Sequence, residues 1–433
     1  MRTTIVHPGA DELTYEIREI VAVGEEVRKM GVPVYWENIG DPVAKGNVVP
    51  RWIKDIVANL AKNDDACYGY SPTKGILETR EYLADVRNKE GGAQITPDDI
   101  LFFNGLGDAI QTSFFYLNPR ARILGPNPAY PTYSSAEAAH ADAPHLTYKL
   151  LPEKRWQPDL EDIRNKVKYN PEVAGILIIN PDNPTGTVYS EEVLRGMVEI
   201  AREFDLFVIS DEIYSNITYN HQPMIPLSQV LDGVPGIAFK GLSKEIPWPG
   251  ARCGWLEFYN KDSDLGFAQY VKSLNDAKML EVCSTTLPQR ALPKIFGDKR
   301  YQKHLKTVSK NYGKKADLFA KIFKDVPGII ANKPSGAFYA SVVFKDGVLK
   351  KKQTLPIKNK KARSYIEDIV RGVPLDKRFV YYLLGSTGIC VVPLSSMNSD
   401  LNGFRITLLE PDEERYEKTL HKIASSIKDY LQS

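Results

Sequence analysis

A chain of 433 residues is too long for one small core and long enough for two domains. Its 43% hydrophobic and 25% charged content is that of a globular protein. Fifty-six basic against fifty-four acidic side chains leave a formal charge of +2, which gives no sign of a nucleic-acid or membrane partner.

The four cysteines, Cys67, Cys253, Cys283 and Cys390, show no CxxC spacing. That pattern argues against a disulfide framework and against a zinc site, and points to a reducing, cytoplasmic compartment. The first residues carry acids and no apolar run, so no signal peptide is expected. No stretch approaches a membrane span; even Ile100 to Leu117 is broken by Gly105, Gly107 and Asp108.

Leu13, Ile17, Ile20, Val21 and Val27 recur at helical spacing and predict an amphipathic helix ending near Gly31. A short strand follows and breaks at Gly40-Asp41-Pro42. Gly40 there suits either a close approach of backbone to a ligand or a plain turn. Trp52 to Leu60 reads as a helix. Ile76 to Asn88 is another, with Leu77, Tyr82, Leu83 and Val86 expected on its buried side. Tyr68 and Tyr70 lie on the loop between them.

Ile100 to Phe103 is a short apolar strand that runs through Gly105-Leu106-Gly107-Asp108 into a helix over Ala109 to Leu117. Strand, glycine turn, helix is the geometry that aims free backbone N–H groups at a phosphate, and it also ends ordinary strands. The strand Arg122 to Leu124 leads into a loop stiffened by Pro126, Pro128 and Pro131, which holds Tyr130 in a fixed place. A rigid aromatic suits stacking on a flat ring; core packing is the alternative.

Ala174 to Ile179 is a continuous apolar run of the kind buried in parallel sheets. It stops at the loop Asn180 to Gly186, where prolines fix Asn183 as a positioned donor. A helix ends near Phe204, and the next strand, Leu206 to Ser210, ends in Asp211-Glu212-Ile213-Tyr214. A carboxylate at the end of a buried strand is costly unless it meets a cation or a strong donor. Ile237 to Phe239 is a further strand and delivers Lys244, with Arg252 eight positions on. A lysine that loses its proton condenses with an aldehyde, and an arginine grips phosphate through paired hydrogen bonds.

Strands alternating with helices predict an α/β large domain, a mostly parallel sheet covered by helices, over residues 49–310. Helices are expected at Phe267 to Ala277 and Arg300 to Phe323. Gly328 to Phe344 reads as strands, Lys350 to Arg363 as a solvated lysine-rich loop, and Ser364 to Val373 as a helix. Ile389 to Val392 and the segment carrying Arg405 read as strands, and Asp412 to Leu431 as a closing helix. Residues 311–433 thus form a smaller α+β domain, which the N-terminal segment 1–48 joins.

With Asn180 to Gly186, Asp211 to Tyr214 and Lys244 to Arg252 in order, the chain resembles the class I/II aminotransferases, pyridoxal-phosphate enzymes of the aspartate-aminotransferase fold (fold type I). The resemblance runs from about Gly40 to the C-terminus. It implies that Lys244 forms the internal aldimine and moves the substrate α-proton. By the same resemblance Asp211 faces the pyridine nitrogen and keeps it protonated. Asn183 and Tyr214 match the residues that bond the ring oxygen, Tyr130 the stacking aromatic and Arg252 the phosphate arginine. Gly105, Leu106 and Gly107 match the phosphate turn, and Asp108 is expected to cap the helix.

Tyr70 matches a tyrosine that reaches the neighbouring subunit's phosphate, which implies a homodimer with shared sites. Arg405 matches the arginine on the substrate α-carboxylate, with Gly40 and Asn183 beside it. The family's hydroxyl three residues before the lysine is replaced by Gly241, which leaves Ser243 as the nearer hydroxyl. The implied function is amino-group transfer between an amino acid and a 2-oxo acid by a ping-pong route, with no metal. A β-lyase or decarboxylase on the same fold is the alternative.

Overall fold

The computed structural model describes residues 5–13, 16–219 and 222–433. Its main sheet has eight strands in the order Ile100–Phe103, Gly254–Tyr259, Gly236–Gly241, Phe207–Asp211, Val173–Ile179, Arg122–Asn127, Thr147–Leu151, Gln157–Pro158. Arg122–Asn127 pairs in parallel with both its neighbours, and the parallel run continues through Val173–Ile179 and Phe207–Asp211 to Gly236–Gly241. Only Gly254–Tyr259 and Gln157–Pro158 run against the rest. Val173–Ile179 and Phe207–Asp211 are apolar almost throughout because helices cover both faces.

The strand Gly254–Tyr259 is absent from the sequence reading. It is buried at every position, so its sequence GWLEFY shows no alternation. The helix after the glycine turn starts at Leu106 rather than Ala109. The helix Leu77–Lys89 buries Thr79, Arg80, Leu83 and Ala84, and Leu77 is 47% exposed, which corrects the expected buried side. It is turned so that Arg80 donates to the carbonyls of Gly75 and Pro97, bonds that hold the loop before Ile100.

A second, antiparallel sheet joins Ile329–Ala331, Tyr339–Phe344, Gly403–Thr407 and Val392–Pro393. Tyr35–Trp36 pairs in parallel with Ile389–Cys390. The N-terminal helix Ile17–Lys29 buries Ile20, Val23 and Val27 in the same apolar cluster as Phe338, Tyr381 and Ile423. The stretch 350–363 is more than a solvated loop. Gln353, Leu355 and Ile357 alternate inward, and Asn359 caps the helix Lys360–Ile369. The helix Leu375–Thr387 also escaped the sequence, since most of its residues are buried and no polar stripe marks it.

Five strands of the large sheet deliver residues of interest at or just beyond their carboxyl ends: Gly105, Tyr130, Asn183, Asp211 and Lys244. That edge is where open α/β sheets bind ligands.

Candidate active site

A cavity of about 440 Å³ opens at this edge, roofed by Tyr339 and Arg405 of the second sheet and by Ile17 and Val21 of the N-terminal helix. Every site residue expected from sequence lines it except Gly105 and Tyr70. Gly105 sits directly behind Arg252. Tyr70 is 87% exposed and lies away from the cavity of its own chain. A larger groove of about 1100 Å³ at the opposite edge, near Phe115, Arg202 and Tyr270, contains none of the expected residues.

Asp211 ends its strand fully buried. Its Oδ1 accepts from the Ile213 N–H at 3.0 Å and its Oδ2 from the Tyr133 hydroxyl at 3.0 Å. Burial pushes its carboxyl up to about 6, against the pull of those two donors. A cation placed at this carboxylate reverses that balance. Tyr133 was not singled out in the sequence; its only signal is its place three residues after Tyr130, one turn into the helix Pro131–Ala141.

Lys244 follows the strand Gly236–Gly241, and its Nζ donates to the Gly40 carbonyl at 2.9 Å. The ring of Tyr214 lies 6.0 Å from that nitrogen and the ring of Phe338 5.7 Å. The Tyr214 hydroxyl donates to that of Tyr339 at 3.2 Å, and burial holds Tyr214 protonated well above its ordinary range. Tyr339, on the strand Tyr339–Phe344, therefore belongs to the site. A Cβ at Gly40 would overlap the Tyr339 hydroxyl, so only glycine lets this backbone pass.

At the other end Gly105 caps the helix Leu106–Phe115 with φ 87° and ψ 165°, a conformation open almost only to glycine. A Cβ there would sit 2.7 Å from Arg252 Nη2. Arg252 donates to the Asn104 carbonyl at 3.2 Å. The first N–H groups of a helix lack internal partners, and beside a guanidinium they form an anion cradle. Asp108 lies in the first turn of this helix and accepts from the Asn104 N–H at 2.9 Å; the N-cap is Gly105, so Asp108 is not the capping residue expected from sequence.

Arg405 lies buried on the strand Gly403–Thr407. Its Nη1 donates to Asn183 Oδ1 at 3.0 Å and its Nη2 to the Asn38 carbonyl at 2.7 Å. Its guanidinium lies 4.5 Å from the centre of the Tyr339 ring. The Nε is buried without a protein partner, which is costly unless a ligand oxygen meets it. Three cations, Lys244, Arg252 and Arg405, thus converge on one cavity with a single buried carboxylate, Asp211, at its floor.

A family profile described as aminotransferase class I and II matches residues 38–423. This chain belongs to that family. An uncharacterised aminotransferase of Methanocaldococcus jannaschii is 52% identical over the whole of both chains. A glutamate-pyruvate aminotransferase, AlaA, of Escherichia coli is 30% identical over 76% of this chain and 80% of its own. The solved alanine aminotransferase of Pyrococcus furiosus superposes with a TM-score of 0.85 at 28% identity, covering 98% of this chain and 99% of the other. The chain is an aminotransferase of fold type I, and its reaction is transamination between an amino acid and a 2-oxo acid by the family's ping-pong route. Aminotransferases of this family use pyridoxal phosphate. Among the described residues, no helix is long and apolar enough to cross a membrane, and no group of side chains is arranged to hold a metal.

Proposed function

We propose that this aminotransferase holds pyridoxal phosphate in the cavity above Asp211 and takes L-alanine and L-glutamate, with pyruvate and 2-oxoglutarate, among its substrates. The carrying observation is the convergence of Lys244, Asp211, Arg252 and Arg405 on one cavity. The donor set fits the cofactor: an amine for its aldehyde, a buried carboxylate for its ring nitrogen, and a glycine-lined cradle with a guanidinium for its phosphate. The group supplies, when bound, an aldehyde that condenses with amines and a protonated ring that draws electrons from the substrate Cα.

The protein's own residues do the rest. Asp211, held by Tyr133 and the Ile213 N–H, stays ionised against the ring nitrogen. Arg252, Leu106 and Gly107 bind the phosphate, with Gly105 giving room and Ser243 adding a hydroxyl. Tyr130 packs on the ring face, Asn183 donates to the ring oxygen, and Tyr214 does so by turning its one hydroxyl hydrogen from Tyr339 to that oxygen. Arg405 takes the α-carboxylate with its unpartnered Nε, beside Gly40 and Asn183. Lys244 Nζ would take the proton from the substrate Cα and return it. Ile17, Val21 and Ile39 line the remaining wall, which suits a short side chain such as that of alanine. The Escherichia coli relative is a glutamate-pyruvate aminotransferase and the Pyrococcus furiosus one an alanine aminotransferase, which favours these substrates.

We assign 1–48 and 311–433 to one small domain and 49–310 to the large one. A homodimer with shared sites is part of this proposal, because Tyr70 is exposed and is free to reach a second copy. The four cysteines are unpaired, which fits a reducing cytoplasm.

The test is an absorbance spectrum of the purified protein loaded with pyridoxal phosphate, before and after a panel of amino acids. Bleaching of the visible band by alanine or glutamate, and its return with pyruvate or 2-oxoglutarate, supports the proposal. A persistent band with release of ammonia, a thiol or carbon dioxide favours a lyase or decarboxylase. No band at all removes Lys244 from its role.

A further inference from the structure

A knot of buried charge lies behind Arg405, and the chemistry above uses none of it. The Lys45 side chain is only 8% exposed, and its Nζ donates to the Trp36 carbonyl at 3.0 Å and to Glu37 Oε1 at 3.1 Å. Glu410 Oε2 lies 3.8 Å from the same nitrogen. Lys315, buried beside them, donates to the carbonyls of Leu408 at 2.9 Å and Glu410 at 2.6 Å. The Glu37 carbonyl accepts from the Thr407 N–H at 3.0 Å, and Asn47 donates to the Leu409 carbonyl at 2.9 Å.

These contacts fasten the stretch 36–47 to the stretch 407–410, which leaves the strand of Arg405. Between its fastened ends the first stretch carries the two carbonyls that enter the site. The Asn38 carbonyl holds Arg405 Nη2 at 2.7 Å, and the Gly40 carbonyl accepts from Lys244. Past the two-residue strand Tyr35–Trp36 the Glu37 N–H still donates to the Cys390 carbonyl at 2.9 Å, but no residue from Asn38 to Lys45 lies in a strand, so sheet pairing stops short of Asn38. A lysine is costly to bury, and charged anchors at this depth hold geometry where a loop has none.

We propose that Lys45 is a positioning residue for substrate binding: clamped between Glu37 and Glu410, it fixes the Asn38 carbonyl on Arg405 and so sets the guanidinium for the substrate carboxylate. The proposal rests on Arg405 being the carboxylate-binding residue. A displaced Asn38 carbonyl leaves Arg405 free to rotate, and paired hydrogen bonds to a carboxylate depend on its orientation. Both half-reactions use that carboxylate, so a loss at Lys45 falls on amino acid and 2-oxo acid alike.

The experiment compares Lys45→Met, Lys45→Arg and Arg405→Lys as loaded enzymes, with L-alanine and pyruvate as the probes, 2-oxoglutarate being the saturating acceptor for L-alanine and L-glutamate the saturating donor for pyruvate. Thermal melting and cofactor absorbance are recorded for each. The expected result for Lys45→Met is a KM raised about tenfold for both probes with kcat within about threefold, the split that marks lost ground-state binding. Lys45→Arg keeps a cation and is expected to remain within about threefold of the parent in both constants, with the cofactor band unchanged throughout.

If Arg405→Lys raises KM and Lys45→Met does not, this proposal falls and Arg405 keeps its role. A parallel loss of kcat and folded fraction in Lys45→Met, without a KM change, overturns it as well. If Arg405→Lys leaves KM unchanged, the assignment of Arg405 falls first. Should Lys45→Met fail to accumulate, the charge-balanced Glu37→Gln, Lys45→Met double variant is measured in its place and judged by the same KM criterion.

Discussion

Gly105→Ala is a sharp test of the phosphate cradle. Two effects compete. The backbone at φ 87° and ψ 165° lies where a side chain is strained, at a cost of ~1–3 kcal/mol. The new Cβ also meets Arg252 Nη2 at 2.7 Å and Cζ at 2.9 Å. Those atoms are the far end of a flexible side chain, so the fold yields easily there. Phosphate affinity does not, because the moved atoms are the ones that grip it. A hydrogen bond to a charged group contributes about 1.5–3 kcal/mol, and one such loss weakens binding about ten- to a hundredfold.

The assay is a titration of cofactor-free protein with pyridoxal phosphate, followed by the visible band, alongside thermal melting. Gly91→Ala is the control. Its φ is also positive, at 82°, but no atom lies near the added Cβ. Both variants should melt a few degrees lower. Only Gly105→Ala should lose affinity. Equal cofactor affinity in Gly105→Ala and the parent would refute the assignment of Arg252 and the glycine turn to the phosphate.

Asp182, fully buried beside Asn183, accepts from Thr185 N and Oγ1 through Oδ2, while its Oδ1 has no partner. Burial pushes its carboxyl from 3.8 up to about 7. The folded chain therefore binds this proton more tightly than the unfolded one, and stability falls as pH rises between those values, by on the order of 4 kcal/mol at most. Asp182→Asn should flatten that slope and raise stability at pH 8, read by denaturant unfolding of cofactor-free protein at pH 5 and pH 8; an equal loss at both would count against a neutral carboxyl. Gly40→Ala should lower stability by ~1–3 kcal/mol through overlap with the Tyr339 hydroxyl, and adding Tyr339→Phe should restore it; no rescue means the overlap is not the cause. Mixing Lys244→Ala chains with Tyr70→Phe chains should recover activity through heterodimers carrying one intact site, and no recovery would remove Tyr70 from a shared site.

Local signals were enough for the alternating strands and helices and for the residues at the strand ends. Asn183, Asp211 and Lys244 follow apolar runs bounded by prolines, glycines or charges, and such boundaries depend on neighbouring residues only. Gly254–Tyr259 was illegible because a strand buried on both faces carries no period. Leu375–Thr387 was hidden for the helical version of the same reason. The outward face of Leu77 was misplaced because Arg80 turns inward to the carbonyls of Gly75 and Pro97, both outside its helix, which no periodicity records.

The sequence by itself determined the family, since the motifs Asn180 to Gly186, Asp211 to Tyr214 and Lys244 to Arg252 resemble it in order and need no fold to be recognised. Only the tertiary structure decided which groups touch. Tyr133 on Asp211, Tyr339 on Tyr214, Asn38 on Arg405 and Lys45 between Glu37 and Glu410 join residues up to 367 positions apart. Hydrogen bonds and ion pairs act over a few ångströms of space, and a linear chain carries no measure of that distance until it is folded.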